Sequence, residues 1–182
     1  MKLRILTLVA TATLAALCAP AHAALKPGDA APDFATEAAM GGKEFRFALA
    51  DALKKGPVVL YFFPKSFTKG CTVEAHLFAE ATEKFNALGA TVVGISNDDI
   101  ATQKRFSTEE CRDKFAVASD HDTAIAKKYD AKLTAMPMAD RISYVISPNG
   151  KVVYNYQSLN PSRHVEKTLS ALKEFSQNKG RP

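Results

Sequence analysis

Two apolar runs rich in β-branched and aromatic residues, "VVLYFF" at 58–63 and "ATVVGIS" at 90–96, constrain the chain more than any other feature. Both lack the alternation of a half-exposed strand, so each suits a central strand covered on two faces. Between them, Val73, Leu77, Phe78, Ala81, Phe85 and Leu88 recur at spacings of three and four, and Gly89 follows. That pattern predicts an amphipathic helix over 71–88 with a glycine stop. Strand, helix and strand in this order make a crossover unit whose strands run parallel, which requires a sheet with helices against it.

The flanking segments extend that unit. Upstream, Pro27, Gly28, Pro32 and the Gly41–Gly42 pair punctuate short apolar pieces, as in an N-terminal loop and hairpin. Downstream, a helix is expected over 98–110, with Asn97, Asp98 and Asp99 as N-cap candidates, and a shorter one over 121–130. "RISYVISPNGKVVYNY" reads as two strands around a Pro-Asn-Gly turn, and "PSRHVEKTLSALKEF" as a closing helix. The fold class is therefore α/β, a mixed central sheet flanked by helices with an N-terminal hairpin extension.

Residues 1–23 read as a secretory signal peptide: a basic "MKLR", an apolar stretch, and a small-x-small "AHA" at 21–23. The expectation is one domain over 24–182 with a periplasmic or secreted address and no membrane attachment after cleavage. Loss of Lys2 and Arg4 lowers the net charge from +5 to +3. The remaining basic residues are dispersed, which argues against a nucleic-acid surface. Cleavage also removes Cys18 and leaves Cys71 and Cys111, in what would be an oxidising compartment. The two could form a structural disulfide, a reactive pair, or one reactive thiol and a bystander.

Cys71 follows "PKSFTKG", between the first strand and the first long helix. A thiol reacts as its thiolate, and a helix N-terminus favours an anion. Gly70 permits close backbone approach, Pro64 ends the strand, and Thr68 stands three residues before the thiol. Ordinary turn chemistry accounts for Pro64 and Thr68 equally well when either is taken alone.

Together, "PKSFTKGC" resembles the PxxxTxxC active-site motif of the peroxiredoxins, with Pro64, Thr68 and Cys71 in its three fixed positions. "KPGDAAPDF" and "RISYVISPNGKVVY" are similar to further segments of that family, so the resemblance spans most of 25–175. The chain looks most like the bacterioferritin-comigratory, or PrxQ-like, subfamily. The resemblance implies a thioredoxin-like fold and thiol-dependent reduction of hydrogen peroxide or organic hydroperoxides. It implies Cys71 as the peroxidatic nucleophile, Thr68 against the peroxide, Pro64 shielding the pocket, and Arg141 stabilising thiolate and transition state. Glu74 matches a frequent family acid and would orient Arg141, or else it is a favourable carboxylate at the start of a helix.

Many PrxQ-like proteins carry a resolving cysteine five residues after the peroxidatic one, where this chain has His76. Cys111 is then the candidate resolving thiol; otherwise an outside thiol serves a one-cysteine mechanism. His76 is expected to be an exposed helix residue, turned about 140° from Cys71. His121 and His164 lie on polar stretches and make no metal-ligand spacing with Cys111, so no metal is expected. Met136 and Met138 are expected to line an apolar wall. No nucleotide-binding glycine pattern appears, and no cofactor is expected; the partners would be a peroxide and a thiol reductant, a thioredoxin-like protein or small thiol. The subfamily suggests a monomer or homodimer. Competing readings are a thioredoxin-like thiol-disulfide oxidoreductase, which normally needs the CxxC that "CTVE" lacks, and a redox sensor.

Overall fold

The computed structural model describes residues 24–179. Seven strands form one mixed sheet: β1 (Ala35–Met40), β2 (Lys43–Ala48), β3 (Val58–Phe62), β4 (Thr91–Ser96), β5 (Ala116–Ser119), β6 (Ile142–Ile146) and β7 (Val152–Gln157). Their order is β2-β1-β5-β4-β3-β6-β7. Helix α1 (Leu49–Leu53) follows β2, α2 (Lys69–Ala87) joins β3 to β4, and α3 (Ile100–Glu109) precedes β5. Helix α4 (Ala124–Lys128) precedes β6, and α5 (His164–Lys179) follows a short 3-10 turn at Pro161–Arg163.

The expected crossover is present, with β3 and β4 parallel and Leu60 opposite Val93. The two hairpins also form, β1 with β2 and β6 with β7, both antiparallel. Strand β6 pairs antiparallel with β3, and β5 runs parallel to β4. The sheet is mixed because hairpins flank a parallel centre.

Strand β3 shows why its sequence is continuously apolar. Val58, Leu60 and Phe62 join the core on one face with Ile95, Ile125 and Tyr129. Val59, Tyr61 and Phe63 join the core on the other face with Phe78, Phe85, Phe106 and Leu172 from α2, α3 and α5. Each fully buried side chain of this size contributes about 1.5–3 kcal/mol. Tyr61 stacks on Phe78 with ring centroids 4.4 Å apart. It also reaches over β4 at Gly94, where a Cβ would lie 2.6 Å from the ring.

Helix α2 stops as its sequence indicates. Gly89 adopts φ +69°, its N–H donates to Asn86 at 2.9 Å, and Ala90 N–H donates back to Phe85 at 3.0 Å. This is the paired-bond termination that favours glycine. At the start of α3, Asp99 alone of the three candidates caps, accepting from Thr102 N–H at 2.8 Å. Asp98 turns inward instead.

Candidate active site

The polar groups of the site meet where β3, α2 and β6 converge. Cys71 lies in the first turn of α2, buried at 1% exposure. Thr68 is the N-cap residue, extended at φ −81°, with its carbonyl accepting from Thr72 N–H at 2.9 Å. Arg141 stands just before β6 and donates from Nη2 to Cys71 Sγ at 3.3 Å. Its Nη1 donates to Glu74 Oε2. One planar guanidinium thus holds both partners, the fork geometry that distinguishes arginine from lysine.

Glu74 is fully buried, so a solvated carboxylate at the helix start is not what the structure contains. Asp140 does not take the guanidinium either: its Oδ1 accepts from the Arg141 backbone N–H at 2.7 Å. Burial pushes the Glu74 carboxyl up to about 8, against the pull of Arg141. Gly70 matters through its size. A Cβ there would stand 3.1 Å from Arg141 Nη2, so a side chain would press on the group that touches the thiol.

The loop before Cys71 is fixed from α3 and the residues just ahead of it. Buried Asp98 accepts from Ser66 N–H and from Ser96 Oγ, each at 2.7 Å. Phe67, left-handed at φ +63°, packs edge-on to Phe106 at 5.2 Å, with Arg105 5.0 Å above its ring. Thr68 Oγ1 donates to the Lys65 carbonyl at 2.9 Å, which leaves its lone pairs free to accept. Pro64 is half-buried at the mouth of the strand. Arg141 Nε is buried with no hydrogen-bond partner among the described residues.

Three side chains stand differently from their sequence-based expectations. His164 is fully buried at the start of α5, not on a polar surface, because that helix packs on β6. His76 is partly exposed and pairs through Nε2 with Glu110 Oε2 at 2.7 Å. Met136 is 47% exposed in the loop before β6 and is not part of an apolar wall. Cys111 lies just past α3, fully buried in the same apolar cluster as Cys71, and both thiols are free. Burial, then Glu110 and Asp113, raise the Cys111 thiol well above its ordinary range. Among the described residues, no group of three or more His, Cys, Asp and Glu side chains could hold a metal ion.

The sequence pattern of the AhpC/TSA family matches residues 27–155. Peroxiredoxin Q, chloroplastic, of Oryza sativa subsp. japonica is 34% identical over 150 residues, 81% of this chain and 67% of that protein. The chain belongs to the peroxiredoxins, in the PrxQ-like group. The Arabidopsis thaliana protein of the same name is 37% identical over 156 residues, 83% of this chain and 68% of that protein. Among solved structures, peroxidoxin BcpB from Mycobacterium tuberculosis superposes with a TM-score of 0.72 at 32% identity, over 82% of this chain and 97% of that one. A reduced 2-Cys peroxiredoxin from Plasmodium vivax shares the fold, with a TM-score of 0.77 at 24% identity, over 85% and 99%.

These relatives correct the expected address. The peroxiredoxin Q proteins carry a chloroplastic designation, which overturns the periplasmic or secreted reading. The signal peptide on which that reading rested lies in residues 1–23, outside the described residues. The argument from an oxidising compartment for a structural disulfide falls with it. No helix among the described residues is long and apolar enough to cross a membrane.

Proposed function

We propose that Cys71 is the nucleophile of this thiol-dependent peroxidase. The bond from Arg141 Nη2 to Cys71 Sγ carries the reading, because it puts a permanent cation against a sulfur at a helix N-terminus. The thiolate attacks the terminal peroxide oxygen, the O–O bond breaks, and the departing oxygen takes a proton and leaves as water or an alcohol. Cys71 becomes a sulfenic acid. Thr68 Oγ1 accepts from the peroxide hydrogen, and Arg141 stabilises charge developing across the O–O bond, its Nε being available as a donor. Pro64 limits water at the pocket mouth. Glu74 orients Arg141.

Resolution falls to Cys111 in this proposal. Its sulfur attacks the sulfenic sulfur, hydroxide leaves as water, and a thiol reductant returns two electrons to the disulfide. A buried, protonated thiol cannot do this in place, so the turn after α3 must open and bring the two Cα atoms within about 7 Å. Arg112 and Asp113, next in sequence, both sit in left-handed conformations, at φ +52° and +58°. Such strain, of order 1 kcal/mol or more per residue, lowers the cost of opening.

Adding one equivalent of peroxide to the reduced protein and mapping its thiols by mass spectrometry tests both steps. A Cys71–Cys111 disulfide forming as peroxide disappears is the expected result. Full-rate turnover of Cys111→Ser with an external thiol would establish the one-cysteine route instead. Undiminished peroxide consumption by Cys71→Ser would end the assignment of the nucleophile.

A further inference from the structure

Glu74 has a second oxygen for which the Arg141 pair does not account. Oε1 is buried with no hydrogen-bond partner among the described residues, and it faces His164 Nδ1 at 3.6 Å. A shift of about half an ångström would bring the two within hydrogen-bond distance. The imidazole is fixed from its other side. Nε2 lies 3.0 Å from the Ser158 carbonyl, which can only accept, so Nε2 carries a hydrogen. Nδ1 lies 2.8 Å from Ser143 Oγ, and the ring packs edge-on to Tyr156 with centroids 4.8 Å apart. With Nε2 protonated and the ring neutral, Nδ1 accepts from the Ser143 hydroxyl, and Glu74 Oε1, which has no bond of its own among the described residues, stands 3.6 Å from the same nitrogen.

A bare carboxylate in this place would be unfavourable twice over. Its charge would be desolvated with one oxygen unpaired, and it would face an imidazole lone pair. It would also draw on the same guanidinium that serves Cys71. A proton on the line between Oε1 and Nδ1 removes each of these costs.

We propose that Glu74 and His164 jointly hold one buried proton, which cancels the carboxylate charge and leaves the Arg141 cation to Cys71. His164 is thereby a positioning residue, acting on the thiol through Glu74 and Arg141. The carboxyl, raised by burial to about 8, and the imidazole, lowered by burial to about 4, place that proton on the glutamate side at neutral pH. The other groups facing the pair are Arg141 and Asp140 ahead of β6, Cys71 on α2, and Tyr61 on β3, whose phenol burial raises well above its ordinary range.

The direct test counts protons in the reduced wild-type protein. Infrared spectroscopy reports a protonated carboxyl, assigned by its loss in Glu74→Gln, and nitrogen NMR of the imidazole reports the state of His164. One proton on the pair besides the Nε2 hydrogen of the ring, at neutral pH and on either member, is the expected result. None, or two, overturns the proposal. The second test is the pH profile of Cys71 oxidation in a single turnover. Above pH about 8 the wild-type carboxyl ionises and competes for Arg141, so the rate falls several-fold. Glu74→Gln, a permanent neutral analogue, lacks that fall, and His164→Asn moves it to a different pH. A fall of the same size at the same pH in all three proteins would show that the pair does not act on the thiol.

Discussion

His76 on α2 and Glu110, the residue just before Cys111, are joined at 2.7 Å. One turn further along α2, Glu80 meets Arg112, the residue just after Cys111, at 3.4 Å. The two pairs make a two-point strap over Cys111, the thiol proposed to resolve the sulfenic acid. His76→Ala should therefore speed alkylation of Cys111 in the reduced native protein several-fold. Global stability should fall by no more than about 1 kcal/mol, since both partners are partly solvated. Timed alkylation with mass spectrometry reads the first effect, and an unchanged rate would mean that the strap does not hold the turn.

Arg141→Lys keeps a cation but loses the fork that reaches Cys71 and Glu74 together. Peroxide reduction should slow by roughly 10²-fold or more, the range for removing a preorganised transition-state donor. Stopped-flow consumption of peroxide measures it. A lysine variant of wild-type rate would show that charge alone suffices.

Gly70 and Gly94 are both pressed by neighbours, with different consequences. Alanine at Gly94 would put Cβ 2.6 Å from the Tyr61 ring, inside two packed strands, and should cost about 1–3 kcal/mol in urea unfolding. Alanine at Gly70 meets only the end of Arg141, at 3.1 Å, so its effect should appear in the peroxide rate, with a stability loss under about 1 kcal/mol. Equal stability losses in the two variants would contradict this division.

Stability should also depend on pH through the buried pair. Glu74 rises from an ordinary 4.5 to about 8, so the folded state binds the extra proton and loses stability as pH rises through that window. His164 drops from 6.5 to about 4, so its contribution gains with pH between those values and offsets the first below pH 6.5. Between pH 6.5 and 8 only the glutamate effect remains, and stability should fall by roughly 1 kcal/mol per pH unit. Denaturation midpoints across that range would show it, and Glu74→Gln should flatten the slope.

Much of this was legible in the sequence because the signals were local. The crossover at 58–96, both hairpins and the placement of Cys71 at a helix start follow from runs, spacings and turn residues. Strand β5 was not legible: "AVAS" is four residues without periodicity, and only pairing with β4 on one side and β1 on the other makes it a strand. His164 was missed for a similar reason. Between Arg163 and Val165 it looks like a surface residue, and its burial arises from how α5 meets β6 and β7. Asp98 looked like one of three equivalent caps. One of its actual partners, Ser66, is thirty-two residues away. A shared proton, likewise, leaves no mark in a linear pattern.

The loop 64–68 is tied to the entry of α3 by the buried carboxylate of Asp98, and to α3 itself by Phe67 wedged between Phe106 and Arg105. The segment that presents Cys71, the proposed nucleophile, and the helix that leads to Cys111 are therefore coupled mechanically, like two ends of one lever. Amide hydrogens along both should exchange with solvent at a common rate, and an oxidation at one end would be reported at the other without any change in the sheet beneath.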